Sequence, residues 1–254
     1  MNDARRDEIC AVAIAEIFRG DGEILASAMG TLPMIGARLA KLSFEPDLLI
    51  TDGFAYALGN VPAVGGGDGP EPIVEGWIPF RSVFDLLWSG RRHVLMGATQ
   101  IDRFGNQNIS CIGDYRKPTV QLIGTRGAPG NTLNHKTSYW IPVHSKKVFV
   151  EKVDVVCGVG YDRAAALGQT SACFHNVRRV VSNLGVFDFE TPDHRMRVRS
   201  VHPGVSIEEV ISNTGFELVF SEPIAETRLP TPGELGLLRE RIDPLGLGSK
   251  ELRA

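Results

Sequence analysis

Few cysteines, few aromatics and no long apolar run characterise this 254-residue sequence. Its four cysteines, Cys10, Cys111, Cys157 and Cys173, are widely spaced and form no C-x-x-C pair, which excludes a zinc ribbon and a dithiol redox motif. Scattered in this way, they read as small apolar residues in a reducing compartment. No stretch of about 18 uncharged apolar residues is present to span a bilayer. The first apolar run, Ile9 to Ile14, is short, is followed by Glu16 and has no basic n-region before it. No secretory leader is expected, and the cytoplasm is the expected compartment. Charge of one sign is missing too: 27 Lys and Arg against 30 Asp and Glu give a net charge of -3. Without a basic footprint, nucleic acid is not a default partner.

What is present is ordinary globular composition, 43% apolar and 22% charged, too apolar for a disordered chain. A chain of this length buries about three quarters of its unfolded surface. No repeat or linker divides it, so one domain over residues 1–254 is expected. The one low-complexity tract, Gly65-Gly66-Gly67-Asp68-Gly69-Pro70, is a loop. Ahead of it the pattern predicts an amphipathic helix over 3–18, a strand over 24–28, and a helix N-capped by Thr31 with Pro33 in its first turn. A strand over 47–51, buried on both faces, follows. Beyond the loop come a helix over 80–88, a strand over 93–98, a strand-turn-strand unit over 101–109 with Gly105-Asn106 at its turn, and a strand over 119–123. Strands are then expected over 148–150, 153–156, 177–182, 186–189, 196–201 and 216–220, with helices over 206–213 and 232–242. Alternating elements predict an α/β fold: an open, mostly parallel sheet with flanking helices and an antiparallel portion in the later half.

In such sheets ligands lie beyond the carboxyl ends of strands, where glycines let backbone approach. Three segments fit: Gly30-Thr31-Leu32-Pro33, Thr51-Asp52-Gly53, and 124–131. In the third, Gly124, Gly127 and Gly130 permit N–H groups to face a developing oxyanion, and Arg126 adds a permanent cation with a planar donor fork. A solvated surface loop is the alternative. Asp52 reads either as a nucleophile, base or orienting carboxylate or as half of an Asp-Gly turn. The histidines at 93, 135, 144, 175, 194 and 202 show no metal spacing. His135 adjoins the glycine loop as a brace, and His202 before Pro203-Gly204 reads as structural. Asp102 with Asn106 and Asn108 lacks the further carboxylates of a cation loop and reads as turn bracing. There is no G-x-G-x-x-G, P-loop or G-x-S-x-G motif, so no dinucleotide site, P-loop or serine elbow is indicated.

Several segments together resemble the β subunits of class I coenzyme A transferases. They are Gly30-Thr31-Leu32-Pro33 with Ala40-Lys41-Leu42, Pro46 to Asp52, Gly97 to Asn108, the 124–130 loop, Val201-His202-Pro203-Gly204-Val205, and Asn213 to Leu218. The similarity runs in order from about Glu23 to Leu218. It implies the open α/β fold of that family and an α subunit, usually in an α2β2 assembly. It also implies coenzyme A as part of the substrate, with no covalently bound cofactor; the scattered cysteines and histidines separately predict no metal. Two departures bear on the reaction. Where the family carries a glutamate nucleophile within Glu-Ser-Gly or Glu-Asn-Gly, this chain reads Asp52-Gly53, shorter by about 1.5 Å when reacting atoms must lie about 3–3.5 Å apart. Where the oxyanion loop commonly reads Gly-x-Gly-Gly, it has Gly124-Thr125-Arg126-Gly127.

That combination resembles the branch of the family that opens a carbocyclic ring of a steroid-derived CoA thioester with water. The resemblance implies a retro-Claisen cleavage, with Arg126 as oxyanion stabiliser and Asp52 as an orienting group. Gly30, Gly124, Gly127 and Asn131 would shape the acyl site, and the base would come from the α subunit. A true CoA transferase using Asp52, and a non-catalytic subunit supporting an active α chain, are the alternatives. A sugar-phosphate isomerase of related fold is disfavoured, because no cluster of basic residues surrounds the glycine loop.

Overall fold

The opening apolar segment forms helix α1, Arg6–Ile17, which is not amphipathic as expected but buried on nearly every face from Ile9 to Ile17. In the computed structural model, residues 3–252 are described except 54, 67, 68, 80, 87 and 88. The chain divides into two compact units, Met1–Met96 with Thr227–Ala254, and Gly97–Glu226.

In the first unit, strand β1 (Leu25–Ala28) leads into helix α2 (Thr31–Ser43). The expected cap moves by one residue: Gly30 is the N-cap, at a φ of +123°, and Thr31 is the first helical residue. Glycine is favoured there because the left-handed side of φ is strained for other residues. Leu32 N–H, which a helix start would leave without a partner, donates to Glu251 Oε2 at 2.6 Å. Helices α1 and α2 pack closely at Gly36, where a Cβ would stand 2.3 Å from Ile14 Cγ2.

Strand β2 (Ile50–Thr51) departs from the expected strand over 47–51. Leu49 bridges Leu25 in parallel, but the chain then folds back at Asp52-Gly53, with Gly53 at a φ of +94°. So β2 pairs antiparallel with β3 (Tyr56–Leu58), and β3 pairs antiparallel with β4 (Val74–Trp77). Ile50, Leu58 and Val61 make a small core under this sheet, with Leu42 packed on it. Helix α3 (Ser82–Leu86) occupies the middle of the expected helix over 80–88; Phe80, Leu87 and Trp88 lie outside the described residues, as do Gly67 and Asp68 of the glycine tract. Strand β5 (Arg92–Gly97) pairs in parallel with β1, with Val94 and Leu95 fully buried.

The second unit begins with β6 (Gln100–Ile101) and β7 (Gln107–Asn108), an antiparallel pair around the expected turn, with Gly105 at a φ of +82°. Strands β8 (Cys111–Asp114) and β9 (Lys117–Gln121) form their own two-stranded hairpin. The strand expected over 119–123 is therefore a hairpin arm that ends at Gln121. Its Lys117-Pro118-Thr119-Val120-Gln121 sequence is largely solvent-facing, as a mostly polar arm should be.

Helix α4 (Ala128–Asn134) leads into β10 (Lys136–Ile141), which carries buried Tyr139 and Trp140. After α5 (Tyr161–Leu167), β11 (Asn176–Ser182) pairs in parallel with β10. Strands β12 (Gly185–Asp188) and β13 (Arg197–Val201) add the antiparallel portion, and β14 (Val219–Glu226) returns parallel to β13 after α6 (Ile207–Ser212). Ser206 caps α6 as expected, its Oγ accepting from Glu209 N–H at 3.0 Å.

The expected strands over 148–150 and 153–156 are not strands. Val148 O accepts from Ile101 N–H at 2.7 Å and Val150 N–H donates to Ile101 O at 3.0 Å, but Val148 N–H turns back to Ser145 O at 2.9 Å, and Asp154 N–H donates to the Gln100 side chain at 3.0 Å. Phe216 lies ahead of β14 and packs near Phe149, with ring centroids 6.4 Å apart.

The chain then completes the first unit. Helix α7 (Pro232–Gly236), opened by a Thr231–Glu234 capping box, continues as a π-helical turn over Leu237–Ile242, and α8 (Leu247–Glu251) follows. Arg239 pairs with Glu8 at 2.6 Å, and Arg228 bridges Glu16 and Glu234 at 2.7 Å each, tying this segment to α1.

The fold class is the one expected: a mostly parallel mixed sheet with flanking helices and antiparallel strands in the later half. Cys10, Cys111 and Cys157 are buried; Cys173, in the turn after α5, is exposed and does not serve as an apolar filler. Among the described residues no helix is long and apolar enough to cross a membrane.

Candidate active site

The glycine loop belongs to the second unit and runs from the end of β9 into α4. Gly124 takes a φ of +81°, and Arg126 takes +52°, one of two non-glycine residues described with positive φ. Such a backbone costs an L-residue roughly 1–2 kcal/mol and persists only where its surroundings enforce it. Two hydrogen bonds do so here. Ala128 N–H donates to Thr125 O at 3.3 Å, and Asn131 N–H donates to Gly127 O at 2.9 Å, so Gly127 is the N-cap of α4. The Arg126 side chain is exposed and makes no ion pair among the described residues. Its charge is available to an incoming group.

Below the loop, Asn131 is buried, and its carbonyl accepts from His135 N–H at 3.0 Å and Thr137 Oγ1 at 3.1 Å. Thr132 Oγ1 takes the Val159 N–H at 2.9 Å, which holds α4 from a second side. The structure thus brings Gly124, Arg126, Gly127 and Asn131 together on one loop and helix. The loop follows a hairpin arm rather than a strand of the main sheet, so the strand-end rule that selected it does not describe its position.

Gly30 and Asp52 belong to the first unit. Gly30 caps α2, and its missing Cβ would meet Pro33 at 3.2 Å. Asp52 Oδ1 accepts from Ala55 N–H at 2.9 Å and Tyr56 N–H at 3.0 Å, and Asp52 N–H donates to Tyr56 O at 3.1 Å. Its carboxylate therefore closes the turn between β2 and β3. Asp52 also lines a cleft of about 550 Å³ with Met34, Arg38, Pro62 and the start of the glycine tract. Arg38 is the residue that sequence reading missed. It sits among Ile35 and Leu39 on the buried face of α2, and a charge inside an apolar stripe was the available signal.

The remaining polar candidates are structural. Asp102 Oδ1 accepts from Phe104 and Asn106 N–H at 3.0 Å each, the expected turn brace, and burial raises its pKa. His202 Nε2 meets Ser182 O at 2.8 Å inside the core. His144 lies between Ser182 Oγ and Thr214 Oγ1, 3.0 Å from each, stacked on Phe149, and burial pushes its pKa down to about 3. His93 meets Asp21 at 2.6 Å with both side chains sealed from solvent. Among the described residues no group of three or more His, Cys, Asp or Glu side chains is placed to hold a metal.

Residues 85–213 match the family model described as coenzyme A transferase. The chain is 54% identical over 252 residues to the cholesterol ring-cleaving hydrolase IpdB subunit of Rhodococcus jostii (strain RHA1), covering 99% of this chain and 98% of that one. It is equally 54% identical, over 249 residues, to the subunit of the same name from Mycobacterium tuberculosis (strain ATCC 25618 / H37Rv), covering 98% and 99%. The crystal structure of Rhodococcus jostii RHA1 IpdAB superposes with a TM-score of 0.93 over 98% of this chain and 99% of that one. With a family model spanning half the sequence and relatives this similar along their whole length, the chain belongs to the coenzyme A transferase family.

Proposed function

We propose that this chain is the β subunit of a heteromeric hydrolase that opens a carbocyclic ring of a steroid-derived CoA thioester by retro-Claisen cleavage. The observation that carries the reading is the 54% identity, end to end, with a relative named as a cholesterol ring-cleaving hydrolase subunit. An α subunit completes the enzyme, in an α2β2 assembly, and the cytoplasm is its compartment. Coenzyme A enters as part of the substrate and leaves on the product, its thioester intact.

In this reading a base on the α subunit takes a proton from water, and the oxygen adds to the ring ketone. The carbonyl electron pair moves to oxygen as an alkoxide, which the Arg126 guanidinium stabilises. As the alkoxide collapses, the bond from that carbon to its neighbour breaks. The electron pair passes to the neighbour as an enolate, which takes up the proton held by the base, and the former ketone carbon becomes a carboxylic acid of the opened product that ionises to a carboxylate. Arg126 suits this role because it is a permanent cation, exposed and held on an enforced backbone.

Asp52 orients rather than attacks. A transferase needs a carboxylate free to reach the thioester carbonyl, whereas here Oδ1 is committed to two backbone N–H groups of a turn. Gly124, Gly127 and Asn131 give the acyl site its loop shape, and Gly30 shapes the start of α2.

The test is the reconstituted complex with its α subunit, incubated with a steroid-derived CoA thioester and trapped during turnover with borohydride or hydroxylamine. Ring-opened product without a covalent enzyme–CoA adduct is expected. A trapped adduct on this chain would replace the hydrolase with a transferase.

A further inference from the structure

Arginine is almost never buried without a partner of opposite charge, because an unpaired cation loses its water and gains nothing equivalent. Arg38 is an exception. It is 5% exposed, and its Nε donates to Pro62 O at 3.0 Å and its Nη1 to Met34 O at 3.3 Å. It has no other partner among the described residues and no ion pair. Both contacts are to neutral carbonyls, taking Nε and one hydrogen of Nη1, while Nη2 has no acceptor among the described residues. The same side chain lines the cleft of about 550 Å³ in the first unit. Two carboxylates line that cleft as well. Neither Asp52 nor Glu71 comes within ion-pair distance of Arg38, and Asp52 Oδ1 is occupied by Ala55 and Tyr56 N–H. Burial lowers the Arg38 pKa with no neighbouring charge opposing it.

We propose that Arg38 is the anchor of an oxyanion subsite in this cleft, with the Nη1/Nη2 edge of its guanidinium grasping a carboxylate or phosphate of the bound ligand. The geometry fits the fork that makes arginine the residue for bidentate oxyanion recognition. The inference rests on the proposed reaction for its ligand chemistry: ring opening creates a new carboxylate, and coenzyme A carries phosphates. Occupation of the subsite supplies a counter-charge that the described residues do not.

The test measures binding apart from turnover, so that its failure is distinct from failure of the ring-opening assignment. The complex with its α subunit is titrated with glutarate in one arm and coenzyme A in the other, for wild type, Arg38→Met and Arg38→Lys. Methionine keeps the packing of the stem and removes the charge; lysine keeps the charge and removes the fork. In Arg38→Met a rise in Kd of about 30-fold or more is expected in at least one arm, the loss typical when one member of a desolvated charge pair is truncated. A loss in the glutarate arm alone assigns the subsite to the acyl carboxylate, and a loss in the coenzyme A arm alone assigns it to a phosphate. Kd values unchanged within about twofold in both arms overturn the proposal. Should Arg38→Met fail to assemble, Arg38→Lys decides by the same measure: weakened binding in either arm supports the fork, and unchanged binding in both overturns it.

Discussion

Replacing Arg126 by glycine separates the two roles of its loop, because stability and activity respond in opposite directions. Arg126 holds a φ of +52°, which costs a residue with a Cβ roughly 1–2 kcal/mol. Glycine removes that strain but adds freedom to the unfolded chain, at about 0.5–1 kcal/mol. The difference leaves Arg126→Gly more stable by up to about 1.5 kcal/mol, which raises Tm by up to about 3–6 °C for a protein of 150–250 residues. Because the side chain is exposed and makes no ion pair among the described residues, none is lost in exchange. Arg126→Ala keeps the Cβ and therefore the strain, and its Tm should match wild type. Activity should fall in both variants by about 10²–10³ in kcat, the range for removing one oxyanion donor. Scanning calorimetry on the assembled complex gives the first quantity and steady-state ring opening the second. If both variants keep kcat within about tenfold of wild type, equivalent to about 1.4 kcal/mol, Arg126 does not stabilise the oxyanion and the reasoning fails.

Asp52→Asn keeps an oxygen for the Ala55 and Tyr56 N–H groups, so an orienting Asp52 predicts kcat within about tenfold of wild type; a loss beyond about 10³ would mark it as a nucleophile or base. Gly36→Ala should destabilise the complex by about 1–3 kcal/mol, read from the urea midpoint, because the new Cβ would stand 2.3 Å from Ile14 Cγ2. In an Ile14→Ala background the same change should cost less, and equal costs in the two backgrounds would place the clash elsewhere. His144 stays neutral when folded, with its pKa at about 3, whereas the unfolded side chain titrates near 6.5. Between those values the unfolded state binds the extra proton. Stability therefore falls as pH drops from about 6.5 towards 3, by up to about 1.4 kcal/mol per pH unit, with no contribution above that window. His144→Gln should flatten this limb in part, because His175, also pushed down by burial, remains. An unchanged difference between urea midpoints at pH 7.5 and pH 5 would remove His144 as its cause.

Much of the fold was legible because local chemistry and tertiary context agree in many elements. The periodicity of α2, the Ser206 cap and the Gly105 turn all appear where residue types require them. Failures cluster where context overrides pattern. Val153 to Val156 resembles a strand, but its backbone is met by the Gln100 side chain. Lys136–Ile141 escaped notice because a strand of mixed polar and aromatic residues, nearly all buried, shows no alternation. The candidate site divides in the same way. Glycine spacing reported backbone freedom in the loop only in part: Gly124 takes a positive φ, Gly127 does not, and the positive φ falls instead on Arg126, where residue type gives no sign of it. Asp52 was open in sequence between attack and turn, and its two N–H contacts favour the turn. Arg38 was legible only as a charge inside an apolar stripe, because its meaning as a site depends on burial without a counter-charge among the described residues, which the packed α2 face reveals.

The central claim, that water rather than an enzyme carboxylate attacks the substrate, is tested most directly by single-turnover ring opening in ¹⁸O-labelled water with the assembled complex. The account predicts one ¹⁸O atom in the newly formed carboxylate and none in this chain, with the CoA thioester intact in the product. Label appearing in a carboxylate of the enzyme, or release and transfer of CoA without ring opening, would contradict it.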